Sequence, residues 1–216
     1  RQSQPPQQSD LKARIHHLPT WSALRGFLQV VEGESAADLT SLRVAIRGLA
    51  GGGRDFTNPD QWVSAELTGP ARTLAAALWN GSKQALNPRD VSYSAVVAIR
   101  YNLIEEDASN TLRLTQDGRS FLDEAKRAVV SQIDTEEGVA KVMALVAEHG
   151  PAPMGELIAP YMLWCRKHAG LRAEATGRTS LRARLLNLVD RSLVSRTGVA
   201  YVITAEGLAL LEEDPQ

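Results

Sequence analysis

A single cysteine, Cys165, stands in 216 residues. No internal disulfide can form, and such sparing use of cysteine fits a reducing cytoplasm, which is the expected location. Long apolar runs are missing as well. Runs such as Leu74–Trp79 and Ala95–Ile99 fall far short of the roughly 20 residues that cross a bilayer, so no membrane span is expected. The opening RQSQPPQQSD has no apolar core to serve as a signal peptide, and a start at Arg1 rather than methionine is that of a fragment or a trimmed tail. A formal net charge of −1 excludes a uniformly basic nucleic-acid protein, although not a local basic face.

Signatures of catalysis are equally scarce. The four histidines, His16, His17, His149 and His168, have no partner cysteines at zinc-site spacing. The glycine run AGGGRD lacks the Lys-Ser/Thr that completes a phosphate-binding loop. The one Glu-x-Lys pair that could suggest a metal-dependent nuclease, Glu124 with Lys126, falls on an expected helix rather than a strand edge. Neither a cofactor nor a metal is expected, and no catalytic role is assigned to this chain.

What is present is a mainly helical pattern. Hydrophobic content of 44% against 23% charged residues is that of a globular chain able to bury a core. Residues 1–17 begin Gln/Pro/Ser-rich and read as a disordered tail. Trp21, Leu24, Phe27, Leu28 and Val31 recur at helical spacing, as do Leu39, Leu42, Ala45, Ile46 and Leu49. Asn58-Pro59 opens a further helix, and another runs from Pro70 until Gly81-Ser82 breaks it. Asn87 is placed to cap a helix with Pro88 in its first position and Asp90 near the positive end of the dipole. Val91, Ala95, Ala98 and Ile99 form the expected core stripe of that helix, leaving Arg89, Ser92, Tyr93 and Arg100 outside it. A hairpin follows, from Leu103-Ile104 across the tip EEDASN to Leu112–Thr115.

The second half repeats the plan. Helices are expected over 139–148, 154–168 and 179–191, the last with Leu181, Leu185, Leu188 and Val189 on one face. Leu193-Val194 and Tyr201–Ile203 then flank a tip at Arg196-Thr-Gly198. The closures align: Thr115 with Thr204, Gly118 with Gly207, Leu122 with Leu211. The fold class is therefore mainly α with short β-hairpins, as two tandem winged helix-turn-helix domains. Their expected spans are 18–127, with an N-terminal helical extension, and 128–216.

Charge separates the halves. Between Arg166 and Arg196 stand Arg166, Lys167, Arg172, Arg178, Arg182, Arg184, Arg191 and Arg196, against only Glu174 and Asp190. The helix carrying Arg178, Thr179, Arg182 and Arg184 is the one such a fold lays in a major groove, where arginine meets phosphates or pairs with guanine. Arg196 at the wing is expected to reach an adjacent phosphate or the minor groove, with Arg172 nearby. Arg89, Ser92, Tyr93 and Arg100 would make a second, weaker contact, because acids balance the bases there and Glu105, Glu106 and Asp107 make its wing tip acidic. Winged helices also serve as protein-interaction or dimerisation modules, so that alternative stays open.

Two stretches carry a family resemblance: WVSAELTG through LAAALWNGSKQALNPRDVSYSAVVAIRYNLIEED to LRLTQDGRSFLDE, and TSLRARLLNLVDRSLVSRTGVAYVITAEGLALLEE. Together they resemble the N-terminal region of Mrr-like restriction endonucleases over roughly residues 56–213. The specific features are Trp79 with Ser82, Asn87-Pro88-Arg89, the Thr-x-x-Gly closure and the run from Arg184 to Arg196. The resemblance implies a target-recognition region for double-stranded DNA, methylated or otherwise modified, within a phage-defence nuclease. It also implies a nuclease domain of the PD-(D/E)xK type, which would begin beyond Gln216. Whether the chain forms a homodimer, or acts as a transcriptional regulator instead, stays open.

Overall fold

The computed structural model describes residues 17–33, 36–37, 39–49, 55–106, 111–123 and 128–213. The expected N-terminal tail up to residue 16, the AGGGR run, the hairpin tip at 107–110 and the Glu124/Lys126 pair lie outside the described residues. The chain divides into two compact units, with the cut after the first falling between Val130 and Ser131. Both are built mainly of helices with a few short antiparallel strands.

In the first unit α1 (Trp21–Gly33) follows Thr20, whose hydroxyl oxygen accepts the Ala23 N–H at 3.3 Å. It buries Leu24, Phe27, Leu28 and Val31, and the Trp21 ring lies 4.4 Å from that of Phe121. Then come β1 (Ala36–Ala37), α2 (Leu39–Leu49), α3 (Pro59–Glu66) and α4 (Gly69–Gly81). Asn87 caps through its side-chain carbonyl, which accepts the Arg89 N–H at 3.1 Å, while its amide donates to the Phe56 carbonyl at 2.8 Å. That cap opens a 3₁₀ turn over Pro88–Asp90, and α5 (Val91–Arg100) begins after it. Strands β2 (Ile104–Glu106) and β3 (Thr111–Leu114) pair antiparallel, and α6 (Gln116–Leu122) closes the unit.

The second unit begins in α7 (Ala128–Glu136) and continues through α8 (Val139–His149), β4 (Ala152–Pro153), α9 (Met154–His168) and α10 (Glu174–Asp190). Strands β5 (Val194–Thr197) and β6 (Ala200–Ile203) and a last helix, α11 (Ala205–Glu213), complete it. Helix α10 was expected from Thr179 but starts at Glu174: the Gly177 N–H already bonds the Ala173 carbonyl at 3.0 Å. A Gly198-Val199 turn links β5 to β6, with Gly198 supplying the positive φ of 61° that a two-residue hairpin loop favours. Arg196 therefore lies in β5 rather than at the tip.

Each unit holds a three-stranded sheet whose third strand is too short for periodicity to reveal. The orders are β1-β3-β2 and β4-β6-β5, with Ala36 opposite Leu112 and Ala152 opposite Tyr201. Where the second unit has α9 alone between its first strand and the helix before the hairpin, the first has α2, α3 and α4.

The aligned Thr-x-x-Gly closures have one geometry in both units. Helix α5 ends in a Schellman turn, with Leu103 N–H bonded to the Ala98 carbonyl at 2.7 Å and Asn102 N–H to Ile99 at 3.1 Å; α10 ends likewise, with Leu193 bonded to Leu188 and Ser192 to Val189, both at 3.0 Å. Asn102 and Ser192 adopt the left-handed φ this requires, 52° and 59°. The hydroxyl of Thr115 donates to the Asn102 carbonyl, and that of Thr204 to Ser192 at 2.8 Å. Each threonine oxygen then accepts the N–H of its glycine, Gly118 or Gly207, at 3.1 Å. A Cβ on either glycine would overlap the carbonyl just before a strand, that of Leu103 or Leu193. One threonine thus ties a helix end, a strand start and the next helix together.

The corner predicts opposite responses at neighbouring sites. Ser192→Gly removes the left-handed cost and should stabilise the chain by about 0.5–1 kcal/mol, whereas Gly207→Ala should destabilise it by about 1–3 kcal/mol. Urea unfolding monitored by circular dichroism measures both.

Candidate nucleic-acid interface

Helix α10 has two chemically distinct sides. At about 100° per residue, Ala175, Arg182 and Leu186 fall within about 40° of one another, flanked by Arg178 and Thr179; all five are exposed. On the opposite side Gly177, Ser180, Leu181, Arg184, Leu185, Asn187 and Leu188 are buried. The helix packs against α8 and α9. Its approach to α9 is close enough that a Cβ on Gly177 would overlap the Met162 sulfur.

Arg184 therefore belongs to the interior, which corrects the expectation that it contacts DNA. It sits about 160° from Arg182 and Leu186 around the helix and is only 2% exposed. Its Nε donates to the Glu137 main-chain carbonyl at 2.8 Å, Nη1 to the Ser180 carbonyl at 3.3 Å and Nη2 to Glu137 Oε2 at 3.3 Å. Glu137, in the turn between α7 and α8, is equally buried. Turning this guanidinium outward would strand a carboxylate in the core, at a cost of several kcal/mol. Arg191, at the C-terminal end of α10, is also committed: its two terminal nitrogens grip Asp134 at 2.6 and 2.8 Å.

A buried polar seam continues from this pair. The Tyr161 hydroxyl lies 2.8 Å from Ser180 Oγ. Burial deprives its phenolate of solvation and pushes the pKa up to about 12, and burial also raises the Cys165 thiol. The Tyr161 ring stacks on Trp164, 6.0 Å between centroids, and Trp164 stacks on His168 at 5.4 Å. A Cβ on Gly138, whose φ is 71°, would press into the Trp164 ring.

The other basic residues between Arg166 and Arg196 are exposed. Arg166 and Lys167 occupy the last turn of α9, Arg172 the connection to α10, and Arg178 and Arg182 the outer side of α10. Arg178 holds Glu174 one turn back at 2.8 Å without being buried; Arg182 has no ionic partner among the described residues. The Thr179 hydroxyl donates to the Ala175 carbonyl at 3.1 Å. Arg196 is oriented in advance, with Nε donating to the Gly198 carbonyl at 3.0 Å and its guanidinium 5.9 Å from the Tyr201 ring centre.

Helix α5, in the corresponding position of the first unit, presents a different surface. Arg89 is exposed with its guanidinium 5.0 Å from the Phe56 ring centre, Tyr93 and Arg100 are exposed, and Ser92 is half-buried. Beside them Val96 and Ile99 are exposed too. Ile99, expected in the core, is 56% exposed, and Val97 is buried in that helix instead. Glu105 and Glu106 are exposed on β2.

The motif residues around α4 hold the first unit together. Trp79 donates its indole N–H to Asp60 at 2.8 Å, and the Ser82 hydroxyl donates to the Trp79 carbonyl at 3.1 Å while accepting the Leu86 N–H at 3.0 Å. No protein-family model matches the chain, nor does any curated protein or solved structure.

Three results follow for stability. Arg184→Ala leaves Glu137 buried without its cation and should cost about 3–5 kcal/mol. Arg182→Ala, on the exposed side, should stay within about 0.5 kcal/mol of the parent in the same urea titration. The raised Tyr161 pKa favours the folded state only while the phenol stays protonated. Stability is thus retained below about pH 10 and lost as pH climbs towards 12, by up to about 3 kcal/mol. Cys165 adds to the loss with the same sign. Denaturation curves recorded between pH 9 and 12 should flatten in Tyr161→Phe.

Proposed function

We propose that the second unit is a DNA-binding module whose reading element is the outer side of α10. The observation that carries this is a separation of cations: Arg184 and Arg191 are held by Glu137 and Asp134, while Arg166, Lys167, Arg172, Arg178 and Arg182 are exposed on α9, α10 and their connection. Exposed arginines on one helix suit phosphate contact and bidentate pairing with guanine. The order α8-β4-α9-α10-β5-β6 supports a winged helix-turn-helix reading, in which α10 enters the major groove and the β5–β6 turn is the wing. Arg196 then meets the backbone or minor groove beside it.

On this reading the chain is the double-stranded-DNA recognition region of a Mrr-like restriction endonuclease, and phosphodiester cleavage belongs to a separate domain of that enzyme. The reading is supported by the motif residues quoted above, and preference for methylated or otherwise modified duplexes is part of the proposal. Among the described residues no helix is long and apolar enough to cross a membrane.

The first unit favours a second reading for itself. Its α5 exposes Tyr93, Val96 and Ile99 where α10 exposes arginines, and this apolar strip with acidic Glu105 and Glu106 nearby suits a protein surface better than a phosphate backbone. Homodimerisation through this unit is one form of that reading. A transcriptional regulator would differ in preferring one operator sequence over a modification state.

Fluorescence anisotropy of the whole chain with short duplexes over a salt series tests the assignment. Arg182→Ala should weaken binding about tenfold or more and relax the preference for guanine at the position it meets. Arg89→Ala should change both less. Unaltered affinity in Arg182→Ala, or no binding even at low salt, would overturn it.

A further inference from the structure

The centre of the outer side of α10 is a leucine. Leu186 is 45% exposed although its neighbours Leu185, Asn187 and Leu188 are all buried. It follows Arg182 by one helical turn, a rise of about 6 Å, and Thr179 by seven residues, so these side chains form one stripe. A half-exposed leucine there contributes little to the core that Leu181, Leu185 and Leu188 already fill. Among the unmodified bases the one apolar feature on a major-groove edge is the thymine C5-methyl group, and 5-methylcytosine carries a methyl at the same place.

We infer that Leu186 is a specificity-determining residue that packs on a pyrimidine C5-methyl one or two base pairs from a guanine bound by Arg182. The spacing supports this pairing, because about 6 Å along the helix compares with 3.4 Å between stacked bases on a strand. Arg182 supplies a hydrogen-bonded contact and Leu186 an apolar one, so the two discriminate by different physics at neighbouring positions. Arg178, tied to Glu174, is held one turn before Arg182 for a phosphate. The inference rests on DNA binding by α10 as proposed above.

The test begins with selection from a randomised duplex pool by the full chain. In the selected duplex each thymine is then replaced by uracil, which removes only the methyl, and each pyrimidine position is also compared as cytosine and 5-methylcytosine. At one position near an Arg182-dependent guanine, loss of the methyl should weaken binding about three- to fivefold, the effect of one buried methyl. Leu186→Ala should abolish that difference while leaving the salt slope unchanged, and Leu186→Asn, which keeps the forked outline but not the apolar surface, should do the same. An effect in the thymine–uracil pair alone assigns thymine; an effect in both pairs assigns the methyl itself. If the parent binds with a normal salt slope but no position responds, or Leu186→Ala keeps the response, the role of Leu186 is overturned and that of α10 stands. If the parent binds no duplex, both fall.

Discussion

The second unit depends on a guanidinium held inside it. Arg184 joins α10 to the turn between α7 and α8 through the Glu137 carboxylate and main-chain carbonyl, and the fork geometry of arginine fixes rotation as well as distance. A buried ion pair of this kind adds little net stability over an apolar contact, but its geometry tolerates few alternatives. With Arg184 inside, rotation of α10 about its axis is set. Arg178, Arg182 and Leu186 then face outward as a consequence. The Asp134–Arg191 pair applies the same constraint at the other end of the helix.

The Thr-x-x-Gly corner supplies the second constraint, in both units. It makes the end of the buried helix, the start of the hairpin and the next helix mutually dependent through one hydroxyl and one missing Cβ. Two copies of the corner support very different exteriors. Outside α10 the exposed charges are Arg178 and Arg182 with Glu174 and Asp190, whereas α5 exposes Tyr93, Val96 and Ile99, so the surface chemistry varies where the corner does not.

Legibility followed the range of the interactions. The cap at Asn87, the core positions Leu24, Phe27, Leu28 and Val31 of α1, and the paired closures were readable because they rest on contacts within a few residues or on strong periodicity. The strands β1 and β4 were not, since two residues carry no alternation and their partners lie far along the chain. Arg184 carries two conflicting signals in the sequence: its charge points to the surface, and its phase, shared with Leu181 and Leu188, points to the core. Its acceptor, Glu137, lies 47 residues away and no local pattern points to it. Ile99 failed for the converse reason, as an apolar residue near a helix end that the core did not require.

The most direct measurement is a titration of the isotopically labelled chain with duplex DNA, following the arginine side-chain Nε–Hε signals by NMR. Shifts at Arg178, Arg182 and Arg196, with Arg184 and Arg191 unmoved, are the predicted result. Shifts confined to Arg89 and Arg100, or a moving Arg184 signal, would contradict the account.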